Sequence, residues 1–329
     1  MHSTFIISAI AFLAGSSQAL VLPREQPSVA DVAGGAPPNG PPPDNISDAA
    51  VADFQGVNFL ENLEAAFFAE GLQNLTHLWD KDGDHKVAID VVAKVHAQEL
   101  IHIQTAENIL NHFKKPTFTP CKYEFPVSNA AEFFALANII TSAGIGAVIN
   151  VASGLALTDP TLVPGPASIL AVEARHDAFF RVASVSNIPN PAPFDTRISA
   201  AYALNLASAF IVKGSCAAQP SFPVLPPLSA EVKTKTTGSS GPITFTFDKS
   251  QLKPSDFAKT LYIGWVNQAN VVNYQAATVS NDQYGKVTTT IPSGMAGLAF
   301  AALTAQNTAK DVNSLTAVTL AGPAPVQIS

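Results

Sequence analysis

The sequence predicts a multidomain protein, an α-helical four-helix bundle followed by an all-β, immunoglobulin-like sandwich. Between residues 51 and 218, long Ala-, Leu- and Phe-rich segments repeat apolar residues at helical spacing. Beyond residue 228 the pattern changes to short runs rich in Val and Thr, separated by Gly, Pro, Asn, Asp and Ser. The change falls at a proline cluster, Pro220, Pro223, Pro226 and Pro227, and the 329 residues give each part room for its own core. The expected division is a signal peptide at 1–19, a Pro-rich disordered arm at 20–50, the bundle at 51–218, a Pro-rich linker at 219–228 and the sandwich at 229–329.

The elements follow in order. Phe5 to Leu13 is a short apolar run before Gly15, two serines and Gln18-Ala19, which reads as a secretory signal cleaved after Ala19, although no Lys or Arg opens it. Pro37, Pro38 and Pro41 to Pro43 then sit among Gly, Ala and Asp, a composition that cannot bury a core. The first helix runs from about Ala52 to Leu78, and the second from about Lys86 to Phe113, where Pro116 stops it. The third starts near Ser128, as N-cap, and continues to about Leu157; the fourth spans about Ala167 to Val185, with a further helix at Thr196–Val212 packed outside. From Phe133 to Leu157 there is no charge, which is long enough to cross a bilayer, but Asn138, Thr141, Ser142, Asn150 and three glycines dilute it, so the centre of a bundle is the expected place. Strands are expected at residues 243–247, 261–266, 271–279, 287–291, 298–303 and 315–320.

Charge excludes one class of function. Lys and Arg number 18 against 25 Asp and Glu, so no cationic surface is available to neutralise phosphates and nucleic acid is not an expected partner. Export is supported by two N-x-S/T sequons, at Asn45 and Asn74, as glycosylation candidates. In an oxidising compartment the two cysteines, Cys121 and Cys216, are expected to form a structural disulfide; two separate buried thiols are the alternative.

One constellation carries chemistry. Glu61 and Glu64 lie three residues apart on the first helix; Glu99-Leu100-Ile101-His102 and Glu173-Ala174-Arg175-His176 are Glu-x-x-His motifs on the second and fourth. A three-residue step keeps both side chains on nearly one helical face. Two such helices with further glutamates build a carboxylate-bridged two-metal site inside a bundle. A single Glu-x-x-His is weak evidence, since a surface ion pair explains it as well. Two, each flanked by apolar residues (Ile101, Ile103; Phe179, Phe180), favour burial, and a buried charge needs a partner. His96, one turn before Glu99, is a candidate supporting partner, and Arg175 is expected to pair with a carboxylate. Asp80-Lys81-Asp82-Gly83-Asp84 hints at a calcium loop, but its glycine is misplaced and Val91 stands where a bidentate Glu belongs, so a connecting turn is expected.

The stretches Leu60 to Phe68, Glu99 to His102 and Ile169 to His176 resemble the ferritin-like proteins of fungi, a secreted stress-response and late-sexual-development group related to plant desiccation-associated proteins. The resemblance covers about Val51 to Ala218, including Pro116-x-Phe118 and Cys121…Phe125-Pro126. It implies a ferritin-like bundle with Glu61, Glu64, Glu99, His102, Glu173 and His176 as metal ligands. Di-iron members of the wider superfamily carry a glutamate midway along the third helix, where Thr141 stands here. A neutral hydroxyl cannot bridge two cations as a carboxylate does. The set therefore admits iron or manganese with redox competence, metal without turnover, or a metal-free polar core. The expected function is a secreted protein of the stress or development type with a degenerate di-metal site; a di-iron or di-manganese oxidoreductase acting on oxygen or peroxide is the alternative. Cell-wall or glycan contact through the β part is a further expectation.

Overall fold

The computed structural model describes residues 27–79, 86–184, 188–231, 241–256, 259–279 and 285–328. The expected signal peptide at 1–19, the stretch from Asp80 to Asp84 and His85 lie outside the described residues.

Helix α1 (Val29–Ala33) precedes four long helices, α2 (Asp48–His77), α3 (Lys86–His112), α4 (Ala130–Thr158) and α5 (Pro164–Ser184). Side-chain caps set their starts. Ser47 accepts the Ala50 amide at 3.0 Å and is itself tied to Asp159, which accepts from the Ser47 amide at 2.9 Å, so the start of α2 is pinned to the end of α4. Helix α4 is capped by Asn129, which accepts the Glu132 amide, rather than by Ser128; Ser128 instead donates to the Glu132 carboxylate. Helix α5 starts earlier than expected, at Pro164, because proline fits a first turn whose amides have no helical partner. Phe67, Phe68, Phe133, Phe134 and Phe180 fill the bundle interior at one end, with Phe68 stacked on Phe180 at 5.2 Å. Helix α4 is long and apolar enough to span a membrane, yet its buried residues, Phe133, Ala137, Ile140, Val151 and Leu155 among them, belong to the clusters formed with the neighbouring helices. It packs inside the helical part, against α2, α5 and the outer helix that follows.

Three expectations are corrected. Within the N-terminal segment expected to be disordered, residues 29–33 are helical and held against α3: Ser28 and Asp31 form a capping box, Ala33 is buried, and the Gln98 side-chain amide of α3 donates to the Ala33 carbonyl at 3.1 Å. The outer helix, α6 (Ala200–Ser208), is shorter than Thr196–Val212. Ser199 caps it, and residues 196–198 run extended against α4, with the Ile198 amide donating to the Gly146 carbonyl at 3.2 Å. A side chain at Gly146 would collide with the Thr196 carbonyl, so this approach requires glycine. Finally, the expected strand at 315–320 begins as a helix, α7 (Val312–Thr316), because Asp311 accepts the Asn313 and Ser314 amides.

Cys121 and Cys216 are disulfide-bonded. The bridge joins the segment after α3 to the segment after α6, beside the paired residues Tyr123 and Ile211.

The C-terminal part contains seven strands, β1 (Leu228–Glu231), β2 (Pro242–Phe247), β3 (Leu261–Val266), β4 (Asn273–Val279), β5 (Lys286–Thr290), β6 (Gly297–Thr304) and β7 (Thr319–Ile328). They form an antiparallel ladder in the order β1-β2-β5-β4-β3-β6-β7. Its ends approach one another, the Gly322 amide donating to the Pro226 carbonyl at 2.8 Å just before β1, so the sheet is nearly closed. Trp265, Phe245 and Leu303 centre its core.

Strand β6 is buried along its whole length. Ala299, Ala301 and Leu303 face the sheet interior, while Leu298, Phe300 and Ala302 pack with Ala147, Ile198, Tyr202 and Ala203 of the helical part. That explains its continuous apolar run, since both faces are covered. Tyr202 Oη to Thr319 Oγ1 (2.6 Å) and Ser199 Oγ to Thr316 Oγ1 (2.7 Å) add polar ties across the same seam.

Candidate metal centre

The two Glu-x-x-His motifs converge. Glu99 and His102 on α3 meet Glu173 and His176 on α5 in the bundle interior, with Glu61 and Glu64 supplied by α2. All six are buried, Glu99 completely. His102 Nδ1 lies 2.9 Å from Glu99 Oε2 and 3.1 Å from Glu173 Oε1; His176 Nδ1 lies 3.2 Å from Glu99 Oε1 and 3.4 Å from Glu173 Oε2. Each imidazole therefore faces one oxygen of each glutamate. Both carboxylates lie between the two rings as bridges.

The symmetry is incomplete. Glu61 Oε2 adds a third carboxylate at His102 Nδ1, 3.5 Å away, whereas His176 has no third carboxylate in ionic contact among the described residues. Glu61, Glu99, His102 and Glu173 each bring a ligand atom within 4.8 Å of the others. Glu64, from α2, lies beside this group and against α4: its Oε1 is 2.6 Å from where a Cβ on Gly144 would stand, so it occupies the space a side chain there would take. Thr141, one turn away on α4, is fully buried and its hydroxyl has no hydrogen-bond partner.

Electrostatics follow from burial. Four carboxylates against two imidazolium cations leave a deficit of two positive charges in a dry interior, which is costly unless protons or cations fill it. Burial raises Glu61 to about 8 against the pull of His102, and raises Glu64 well above its ordinary value, with Glu173, Glu99 and Glu61 adding to the rise. Burial would also raise Glu99, but hydrogen bonds from His102 and His176 hold it well below the usual carboxylate range. The imidazoles respond oppositely. Burial pulls them down, but the surrounding carboxylates hold His102 protonated far above its ordinary range and lift His176 to about 10. Protons thus balance the metal-free cluster.

The donor set fits divalent metal. Glu64 Oε2 is buried with no hydrogen bond, and Glu61 Oε2, Glu99 Oε1 and Glu173 Oε1 have only an imidazole Nδ1 at 3.5, 3.2 and 3.1 Å, off the direction of a well-formed hydrogen bond, whereas buried polar atoms are nearly always well satisfied. Carboxylate oxygens with imidazole nitrogens suit iron, manganese or zinc, and the chemistry does not single out one of them.

One residue here escaped sequence reasoning. Gln98 Oε1 lies 2.7 Å from His176 Nε2, while its amide nitrogen donates to the Ala33 carbonyl. That second bond fixes the amide so that its oxygen accepts from the ring, which leaves His176 Nδ1 as the ligand nitrogen. The tie runs from α1 through α3 to α5, between residues far apart in sequence, and no local motif announces it. His96, the expected supporting partner, is half-buried, its ring makes no hydrogen bond among the described residues, and burial lowers its pKa. Arg175 is exposed and forms no ion pair among the described residues. Gln98→Leu is expected to weaken metal binding about 10- to 100-fold, as loss of such partners does. Competition with a metal indicator reads the change.

The other expected sites are placed simply. Asn45 is exposed just before α2, and Asn74 is half-buried within it. Asp177, one residue after His176, accepts hydrogen bonds from Asn138 (2.6 Å) and Ser142 (2.9 Å); burial raises it to about 6.

Residues 52–185, which include all six acid and imidazole side chains, match the ferritin-like domain family. No curated protein matches the chain. The helical part is a ferritin-like domain with a buried Glu/His cluster compatible with a metal ion.

Proposed function

We propose that the ferritin-like domain holds a divalent-metal centre, one cation beside His102 and a second, weaker one beside His176, in a secreted protein of the stress or development type. The observation that carries this is the pairing of each Nδ1 with one oxygen of Glu99 and one of Glu173. Four buried carboxylates gathered on two imidazoles, with four of their oxygens short of a well-formed hydrogen bond, exceed what a metal-free polar core needs. Glu61 makes the His102 side the richer one; Thr141 and Gly144 leave α4 without a carboxylate for the other. The disulfide is compatible with an extracellular setting and supports the export reading. In the β domain, the first, second, fifth and fourth strands run consecutively, followed by the third, sixth and seventh, an order that supports an immunoglobulin-like reading. Contact with wall polymers would fall to this domain.

A second reading, oxidoreductase chemistry on oxygen or peroxide, is favoured by the missing carboxylate beside His176, because catalytic metal sites keep a position open. A bound iron or manganese pair would supply electrons to such an oxidant. The chain's own part is to bridge the ions with Glu99 and Glu173, to orient His176 through Gln98, and to exclude water with the surrounding phenylalanines.

Metal analysis of protein purified without chelators tests the reading. About one or two ions per chain are expected; fewer than about 0.2 would contradict it. Binding should also depend on pH with a defined sign. Cations must displace the protons held by Glu61, Glu64, His102 and His176, so affinity rises as pH rises. Metal-free stability moves the other way. Burial among carboxylates holds Glu61 up at about 8, and the surrounding carboxylates lift His176 to about 10, both above the ordinary 4.5 and 6.5 of the unfolded chain. Their contribution is complete below the unfolded values and is lost as pH rises through the folded ones. The Tm gain on adding Mn(II) is therefore expected to grow from pH 6 to pH 9, as thermal melts with and without metal would register. A gain that shrinks over that range would contradict the proton balance.

A further inference from the structure

We propose that an apolar cavity between α2, α4 and α6 binds a neutral aliphatic molecule whose inner end carries a hydrogen-bond donor and lies against Glu64. This rests on the metal-centre reading for its inner end only. The cavity, of about 460 Å³, runs from exposed Ser208, Ala209 and Pro227 at the seam with the β domain to buried Glu64. That volume suits a small-molecule site. Leu60, Leu63, Leu136, Ile139, Ile140 and Ala143 form much of its wall. Among the lining residues only Glu64 is charged, and the Asn205 side chain is already occupied with the Ala201 and Pro223 carbonyls and the Leu225 amide.

A second cavity, of about 440 Å³, is lined at its exposed end by Ala52, Ser221 and Pro223. The two share Leu60, Glu64 and Gly144. Glu64, lying over the bare backbone of Gly144, is thus the partition between them and the point where both reach the metal centre. Its Oε2 is buried and accepts no hydrogen bond.

The occupant's chemistry follows. The long wall demands a hydrocarbon chain, since apolar burial is the main attraction it offers. No cationic side chain lines the cavity, so an anionic head group carried to its buried inner end would lose its hydration without a partner. A hydroxyl donates the hydrogen bond that Oε2 lacks.

The test uses full-length protein with 1-decanol as probe, titrated calorimetrically, and with Co(II) bound as a spectroscopic reporter. Saturable binding at one molecule per chain is expected, with decanoate at least tenfold weaker. Ala143→Phe fills the cavity and should weaken 1-decanol at least tenfold; Ala143→Leu, a milder filler, should give an intermediate loss should the larger side chain impair folding. Decanol should shift the Co(II) visible bands in the parent protein and not in Ala143→Phe. Failure of decanol to bind protein that takes up Co(II) overturns the cavity proposal and leaves the metal reading standing. Equal binding by the parent and both variants, or decanoate binding as tightly as decanol, overturns it too. Variant-sensitive decanol binding in protein that takes up no Co(II) supports the cavity and removes the metal reading.

Discussion

Glu99→Ala is expected to abolish metal uptake and to destabilise the metal-free protein by about 3–5 kcal/mol, the range for breaking a buried ion pair by removing one partner. Glu99 is the one fully buried carboxylate of the cluster, and its two oxygens face different imidazoles. Removing it strips a ligand from both metal positions at once and leaves two protonated rings facing Glu173 with less compensation. Urea unfolding in the presence of chelator measures the first effect and metal analysis the second. Glu70→Ala, on the exposed face of α2, is the control and should change neither. A loss for Glu99→Ala below about 1 kcal/mol, with metal content unchanged, would place the charge balance elsewhere.

Removing the disulfide by Cys121→Ser with Cys216→Ser is expected to cost about 4–5 kcal/mol in the chain-entropy account, because the bridge closes a loop across 95 residues of sequence. That loop contains α4, α5 and α6. The native pairing around the bridge should persist, since the Val212 amide still donates to the Lys122 carbonyl and the Glu124 amide to the Phe210 carbonyl. The variant should fold and unfold at lower denaturant. A change under about 1 kcal/mol in denaturant titration would show that these backbone bonds alone fix the junction.

Much of this was readable in the chain because it is local. Helical periodicity located α2 to α5, and the i, i+3 spacing put each Glu and His on one face. The cysteine pair was read from compartment chemistry. Local signals were also missed: Ser28 and Asp31 spell a capping box inside a segment whose prolines suggested disorder, and Asp311 announces a helix where the apolar run suggested only a strand. Composition averages over several residues, whereas a cap is one hydrogen bond. Other features have no local signature. Gln98 matters through Ala33 and His176, which only folding brings to it. Gly144 matters because Glu64 lies over it, and Gly146 because an extended segment crosses it; both looked like dilution of an apolar helix. The same glycines that weakened a membrane reading of α4 are where neighbouring groups press against it.

The central claim is that Glu99 and Glu173 bridge two cation positions capped by His102 and His176. Anomalous diffraction from a crystal grown with Mn(II), recorded at the manganese edge, tests it most directly. A strong peak among Glu61, Glu99, His102 and Glu173, with a weaker one beside His176, is the expected map. A crystal with manganese bound elsewhere, and those six side chains arranged as in the metal-free protein, would contradict it.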